Sequence, residues 1–322
     1  MRKIAVLTSG GDAPGMNAAI RAVVRYAINK KNCDVFGVER GFEGLVKGIL
    51  KPMDGRIVSD LSRRGGTVLK TTRYPDFKEN PEVRAQAYET LKAYDIDGLV
   101  VIGGDGSLNG MNDFSKQFDF PCVGIPGTID NDLGYTDFTL GFDTAVNTVL
   151  TAMNSIRDTM TSHDRVCIVE VMGRHSGDIA IYAGLAGGCE FMLIPEVQFD
   201  ISKIVEQIKR NIIKGKQSDI IVLAEGACDS EDLKNQIKDQ FHISLRTIKL
   251  GYIQRGGTPS MADRVLASRF AVRAVDLLVD GIKGSRAVGV RGNEIIDEST
   301  EVALAVKSEF SKELYVIANS LS

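Results

Sequence analysis

Short runs of consecutive apolar residues, several ending in a glycine-rich polar turn, recur along this chain. They are Lys3–Leu7, Leu99–Ile102, Cys122–Ile125, Val166–Val171, Phe191–Ile194, Asp219–Leu223 and Ala287–Val290. Runs this short, without polar alternation, read as strands buried on both faces. Between them lie segments with helical spacing: Met16 to about Asn29, a polar stretch from Asn109, Phe138–Arg157, a helix from about Asp178, Ile201–Ile213 and Ala262–Val279. In Phe138–Arg157 the residues Phe142, Val146, Val149, Met153 and Ile156 share one face, as core positions do. Strand and helix in alternation predict an α/β fold, its sheet mainly parallel and covered by helices on both faces. No internal repeat, low-complexity segment or long linker interrupts the pattern.

Composition narrows the class. At 322 residues the chain is long for one core, and two domains are expected. A net charge of −3 argues against a nucleic-acid surface, so anionic ligands must be met by local arginines. No apolar run approaches ~18 residues and the first strand starts at once, so neither a membrane span nor a signal peptide is expected. Cys33, Cys122, Cys167, Cys189 and Cys228 are odd in number and lack CxxC spacing, which points to reduced thiols and a cytoplasmic setting. Three scattered histidines make a zinc site improbable.

Candidate chemistry sits where the runs end. Gly103–Ser107 reads GGDGS and follows Leu99–Ile102. Strand, glycine turn and helix bring backbone N–H groups and a helix N-terminus to a phosphate. Asp105 repels phosphate, so its place in the turn makes sense with a Mg²⁺ between them. Thr8–Gly15, TSGGDAPG, is a second such turn. Two of them can face one ligand across the carboxyl edge of a parallel sheet. Their spacing is not GxGxxG, and no GxxxxGK[ST] occurs, so both familiar nucleotide motifs are disfavoured. Pro126–Asp132, PGTIDND, supplies a hydroxyl and two carboxylates after Cys122–Ile125. For phosphoryl transfer to an alcohol, Asp130 suits a general base, Thr128 a donor to the transferring group, and Asp132 a metal or metal-water partner. Each element has a plainer alternative: a tight βα connection for the glycines, an Asx turn for the aspartates.

Taken in order, these three motifs resemble those of the bacterial ATP-dependent 6-phosphofructokinases. Later segments carry the same resemblance: SHDR at Ser162–Arg165, EVMGR at Glu170–Arg174, GGCE at Gly187–Glu190, AEG at Ala224–Gly226 and GYIQRGGTPSMADR at Gly251–Arg264. It runs from about Ile4 to Val290. It implies two doubly wound α/β domains with mainly parallel sheets that exchange segments: 1–139 with 252–303 for ATP, and 140–251 with 304–322 for fructose 6-phosphate.

The resemblance also implies a site. ATP would be held by Gly11, Arg73, Tyr74, Gly104, Asp105, Gly106, Ser107 and Gly110, with Asp105 the Mg²⁺ ligand. Fructose 6-phosphate would meet Thr128, Ile129, Asp130, Arg165, Met172, Gly173, Arg174, Glu225, Arg246, Tyr252 and Arg255. Gly11, Thr128, Asp130, Asp132 and Arg174 would carry the chemistry. In the family the counterparts of Arg165 and Arg246 serve a neighbouring subunit, which implies a homotetramer with shared sites. Pyrophosphate-dependent relatives carry Asp where this chain has Gly106 and Lys where it has Gly127, so glycine at both favours ATP.

A regulatory site for ADP or phosphoenolpyruvate is implied at Arg21, Arg25, Arg157, Gly188, Glu190, Lys214 and Lys216. Arg21 and Arg25, four apart, share one helix face. The chain departs from the family pattern at Gly55, with Arg56 displaced by one, at Ser218, and at Tyr252, where a histidine is usual. The expected activity is transfer of the ATP γ-phosphoryl group to the 1-hydroxyl of fructose 6-phosphate, the committed step of glycolysis. Two rivals would differ at named residues. A kinase of the NAD and diacylglycerol kinase group would not need Arg165, Arg246 and Arg255, and a non-catalytic sugar-phosphate sensor would lose Asp105 or Asp130.

Overall fold

The computed structural model describes residues 3–321. The strands, in chain order, are β1 (Lys3–Ser9), β2 (Asp34–Val38), β3 (Leu50–Met53), β4 (Gly98–Gly103), β5 (Cys122–Pro126), β6 (Val166–Val171), β7 (Phe191–Leu193), β8 (Asp219–Ala224), β9 (Leu245–Lys249), β10 (Ser285–Arg291) and β11 (Glu294–Ser299). The chain divides into two compact units. The first comprises Met1–Ile129, Leu133–Thr144 and Arg255–Ser308; the second comprises Asp130–Asp132, Ala145–Gln254 and Glu309–Ser322.

Unit 1 is built on a sheet of order β11-β10-β5-β4-β1-β2-β3. Its inner strands pair in parallel, while β3 and β11 close the edges antiparallel. Ile4, Ala5, Val6 and Leu7 of β1 are wholly buried, as both-face coverage demands. The chain runs from β1 outward through β2, then returns to lay β4 on the other side of β1. That reversal is a switch point, where helices leave the strand ends in opposite directions and open a crevice. Helix Met16–Lys31 packs on helix Met261–Val279. Phe42, Phe77 and Phe114 stack under helix Asp105–Phe118, with ring centroids 3.9 and 5.9 Å apart.

Unit 2 has a smaller, all-parallel sheet of order β7-β8-β6-β9. Helix Ile201–Ile213 buries Ile204, Val205 and Ile208 and is capped by Asp200, whose carboxylate accepts from the Ser202 N–H. Helix Lys312–Leu321 packs on helix Asp178–Gly187. Among the described residues no helix is long and apolar enough to cross a membrane. The five cysteines are thiols, not disulfides; burial pushes Cys167 and Cys189 up to about 12 and Cys122 higher still, which keeps them protonated and inert.

Several expected boundaries shift. The helix read as Phe138–Arg157 is Phe142–Thr161. Gly127 bridges Leu140, Gly141 is left-handed at φ 100°, and Phe138 stays 38% exposed, so apolar spacing overstated the start. The helix expected from Asn109 begins at Asp105, directly after Gly104. Strands β2, β3, β9 and β11 and the terminal helix went unread, because each is short or alternates with charge.

Candidate active site

The glycine turns of unit 1 lie on neighbouring strand ends. Ser9 pairs with Gly103 across β1 and β4, and Gly103 pairs with Pro126 across β4 and β5. The turn after β1, the GGDGS turn and the PGT segment therefore leave one sheet edge side by side. Gly103 must be glycine: a Cβ there would stand 2.6 Å from the Ser9 carbonyl oxygen and 2.7 Å from Ser107 Oγ. A Cβ at Gly104 would meet Thr128 at 3.4 Å, so Thr128 lies against the turn. Its own carbonyl accepts from Thr139 Oγ1 at 2.6 Å. The segment before Arg73 is laced to the first turn. Gly10 N–H donates to the Thr72 carbonyl at 3.1 Å, and Thr71 Oγ1 donates to the Gly10 carbonyl at 2.9 Å. Exposed Arg73 and half-buried Tyr74 follow directly.

Asp105 is exposed in the first turn of its helix, where Asn109 Nδ2 donates to its carboxylate at 3.1 Å. Among the described residues no group of three or more His, Cys, Asp or Glu is gathered for a metal. One exposed carboxylate beside a phosphate loop fits Mg²⁺, which takes one or two carboxylates and fills its shell with substrate phosphate and water. Around Gly106 nothing lies within 4 Å of a built Cβ, so the space a nucleotide needs is open. Gly127 is crowded instead, its Cβ position 3.0 Å from Ile102 and 3.1 Å from Met16. Gly110 also packs against the aromatic stack, its Cβ position 3.3 Å from Phe77. Arg255 covers Gly11, where a Cβ would stand 2.2 Å from one guanidinium nitrogen.

Unit 2 gathers the acceptor-side residues. Asp130 is 3% exposed and lies 3.5 Å from the Arg174 guanidinium Nε. Arg174 holds a left-handed backbone, φ 53°, uncommon for a residue with a Cβ. Its N–H donates to Glu225 Oε1 at 2.9 Å. The carbonyl of Arg174 approaches Gly226 so closely that a Cβ there would be 1.9 Å away. Gly173, at φ 138°, turns the chain beside it. β6 and β8 put these groups together, since Val171 pairs with Ala224 and the two loops leave adjacent strand ends.

Sequence reasoning passed over Gln254. It is fully buried, accepts from the Met172 N–H at 3.1 Å and donates to the Gly251 carbonyl at 3.0 Å. It thereby ties the GYIQRGG segment to the MGR loop; a polar residue inside an apolar-flanked motif was the available signal. Tyr252, two residues before it, is 82% exposed.

Within unit 2, Arg165 and Arg246 stand apart from Arg174 and Glu225. Arg165 precedes β6 and Arg246 opens β9, where it pairs with Cys167; both lie at the amino edge of the sheet. Met172–Arg174 and Glu225 lie at its carboxyl edge, six β6 residues away, or roughly 20 Å.

Four of the expected regulatory residues converge on unit 2. Glu190 is buried and accepts from Lys216 Nζ at 2.6 Å, with Arg157 at 3.8 Å. Arg157 donates to the carbonyls of Gly187 and Gly188, each at 2.8 Å. Lys214 is exposed. Asp219, not foreseen, joins them: it accepts from Asn211 Nδ2 at 2.9 Å and lies 3.4 Å from Lys216, and burial pushes its carboxyl up. In unit 1, Arg21 and Arg25 each have a buried Nε with no hydrogen-bond partner.

Residues 3–278 match the family described as Phosphofructokinase. An ATP-dependent 6-phosphofructokinase of Clostridium botulinum (strain Loch Maree / Type A3) is 53% identical over 322 residues, covering 100% of both chains. Among solved structures, phosphofructokinase from Saccharomyces cerevisiae gives a TM-score of 0.88 at 35% identity over 100% of this chain, which spans about half (48%) of that one. A pyrophosphate-dependent phosphofructokinase from Marinobacter aquaeolei gives 0.85 at 23% identity, over 98% of this chain and 88% of its own, a likeness of fold.

Proposed function

The chain belongs to the phosphofructokinase family, on its ATP-dependent branch, and we propose that it transfers the γ-phosphoryl group of ATP to the 1-hydroxyl of fructose 6-phosphate. The products are fructose 1,6-bisphosphate and ADP, so the enzyme would stand at the committed step of glycolysis, in the cytoplasm. The observation that carries this reading is the grouping of buried Asp130 with Arg174 and Glu225. A carboxylate beside a guanidinium, two residues after a Thr at the end of a phosphate-loop strand, is what transfer to an alcohol requires.

Unit 1 takes ATP. The Gly10–Gly11 turn and the Gly104–Ser107 turn offer N–H groups and a helix N-terminus to the phosphates. Arg73 adds guanidinium charge. Mg²⁺, held at Asp105, would neutralise the polyphosphate. Unit 2 takes the sugar phosphate. Glu225 accepts from sugar hydroxyls, Met172 and Gly173 shape the loop, and Arg174 stabilises charge on the transferring group together with Thr128 and Gly11. Ile129 sets the backbone between Thr128 and Asp130. Asp130 accepts the proton of the attacking hydroxyl as the new O–P bond forms, and Asp132 completes the acidic pair. The leaving oxygen departs on ADP, so charge and atoms balance.

Arg165 and Arg246, at the far edge of their own sheet, favour a homotetramer in which they reach the 6-phosphate in a neighbouring subunit's site, where Arg255 and Tyr252 complete the hold on it. Guanidinium forks suit that dianion. The ion cluster of Arg157, Glu190 and Lys216, with Lys214, Gly188, Arg21 and Arg25, is the proposed site for ADP and phosphoenolpyruvate. The buried Nε groups of Arg21 and Arg25 support an anion there. Asp130→Asn tests the central claim: kcat should fall by about 10²–10⁴ with much less change in the KM for fructose 6-phosphate. A variant keeping more than about a tenth of wild-type kcat would remove Asp130 from the role.

A further inference from the structure

We infer that Asp178 is a positioning residue for phosphoryl transfer, acting through Asn131 to fix the turn that aims Asp130 and Asp132. The inference rests on the reading of Asp130 given above and adds a residue outside that site.

Asn131 stands between the two aspartates. It is 8% exposed and left-handed at φ 51°, a conformation Asn adopts more readily than other residues with a Cβ. Its Nδ2 donates to Asp178 Oδ2 at 2.9 Å. Asp178 is 6% exposed and is the first residue of helix Asp178–Gly187, where the helix dipole favours a carboxylate. That helix is a firm anchor, packed by helix Lys312–Leu321 on one side and by β7 and β8 on another. Other groups bear on the same carboxylate. Burial pushes the Asp178 carboxyl up; the Asn131 bond opposes that, the nearby Glu196, which accepts from the Gly177 N–H at 2.8 Å, adds to it, and the Ser311 backbone N–H lowers it.

The geometry makes the tether specific. A tripeptide whose middle residue is left-handed turns its two outer side chains in a way that an extended or right-handed middle residue does not. The bond to a rigid element adds to Asn131's own tolerance of that state. Loss of the bond loosens the turn and lets the flanking carboxylates shift. Asp130 then loses its place 3.5 Å from Arg174. Asp178 is buried behind Asn131, so its loss should reduce turnover and leave sugar phosphate binding almost intact.

The test measures kcat, KM for fructose 6-phosphate and Tm in the full-length enzyme for Asp178→Ala, Asn131→Gly, their double variant, Asp178→Asn and Asp130→Asn. Asn131→Gly keeps the left-handed conformation accessible while deleting the donor. Expected is a fall in kcat of about 10–10² for Asp178→Ala and for Asn131→Gly, the size of a misplacement near 1 Å. KM should stay within about threefold. The double variant should be no worse than the poorer single, as for two ends of one bond. Asp178→Asn, whose amide oxygen still accepts from Asn131, should recover most of the lost kcat. The inference is overturned if Asp178→Ala keeps kcat within threefold of wild type, if the losses multiply in the double variant, or if Asp178→Asn is as poor as Asp178→Ala. Should Asp178→Ala fail to fold, Asn131→Gly decides alone, and unchanged kcat there rejects the tether. Asp130→Asn separates the two claims: an active Asp130→Asn sinks the catalytic reading, whereas an inactive one beside normal tether variants sinks only this inference.

Discussion

Replacing Gly226 by Ala should damage turnover through a single methyl group. The built Cβ stands 1.9 Å from the Arg174 carbonyl oxygen, and ordinary contact begins at 3.4 Å, so the two backbones must part by about 3.4 − 1.9 = 1.5 Å. Neither can give easily. Arg174 is left-handed and is bonded through its N–H to Glu225, the residue beside Gly226. The shift stretches that 2.9 Å bond and carries the Arg174 guanidinium away from Asp130. A displacement of this size at a reacting group costs about 10²-fold in kcat. Overpacking of this kind costs roughly 1–3 kcal/mol of stability, and each kcal/mol lowers Tm by about 2–4 °C in a domain of this size. The KM for ATP should hold within about threefold, because the phosphate turns belong to unit 1 and stay untouched. Fructose 1,6-bisphosphate formation, coupled through aldolase to NADH oxidation, reads the rate; calorimetry reads the stability. Gly55→Ala is the control, since nothing lies within 4 Å of its Cβ and its φ is not left-handed. A folded Gly226→Ala enzyme with kcat within threefold of wild type would refute the argument that Arg174 is fixed by this close approach.

Gly106→Asp should fold normally, with open space around the Cβ. A charge about 4 Å from a phosphate is worth roughly 4 kcal/mol near a protein surface, so ATP affinity should fall by at least about 10²-fold; robust pyrophosphate-dependent activity in the wild type would overturn the donor argument. Burial raises the Asp219 carboxyl, so the native state binds its proton more tightly than the unfolded chain does. The stability this contributes is complete below about pH 4 and is lost as pH climbs through the raised value. Asp219→Asn lacks that loss, so its Tm relative to wild type should improve as pH rises above about 4, and a pH-independent offset would refute the linkage. Arg246→Ala and Asp130→Asn, each nearly inactive alone, should regain activity when mixed as subunits of one tetramer. Complementation no greater than the sum of the parents would mean that each site is built from one chain.

The alternation of buried runs with helical spacing determined the fold class, because a parallel strand covered on both faces has no polar alternation to confuse it. Glycine turns after β1 and β4 were legible for a similar reason. Gly103 can be nothing larger while Ser9 and Ser107 crowd it, and that demand is written in the residue itself. What the chain alone could not state was adjacency. That Ser9 lies beside Gly103, and Gly103 beside Pro126, follows from the strand order β5-β4-β1, which long-range pairing decides. The aromatic neighbours of Gly110, Phe77 and Phe42, come from distant parts of the chain and could not be read from its own segment. Arg165 and Arg174 sit nine positions apart in sequence, yet an extended strand sends them to opposite edges of one sheet. Asp178 and Asn131, 47 residues apart, meet only because helix Asp178–Gly187 starts where the 130–132 turn passes. Local rules see residue type and short spacing. A bond such as that from Asn131 to Asp178 comes from whichever element the topology brings alongside, and only the folded chain contains that information.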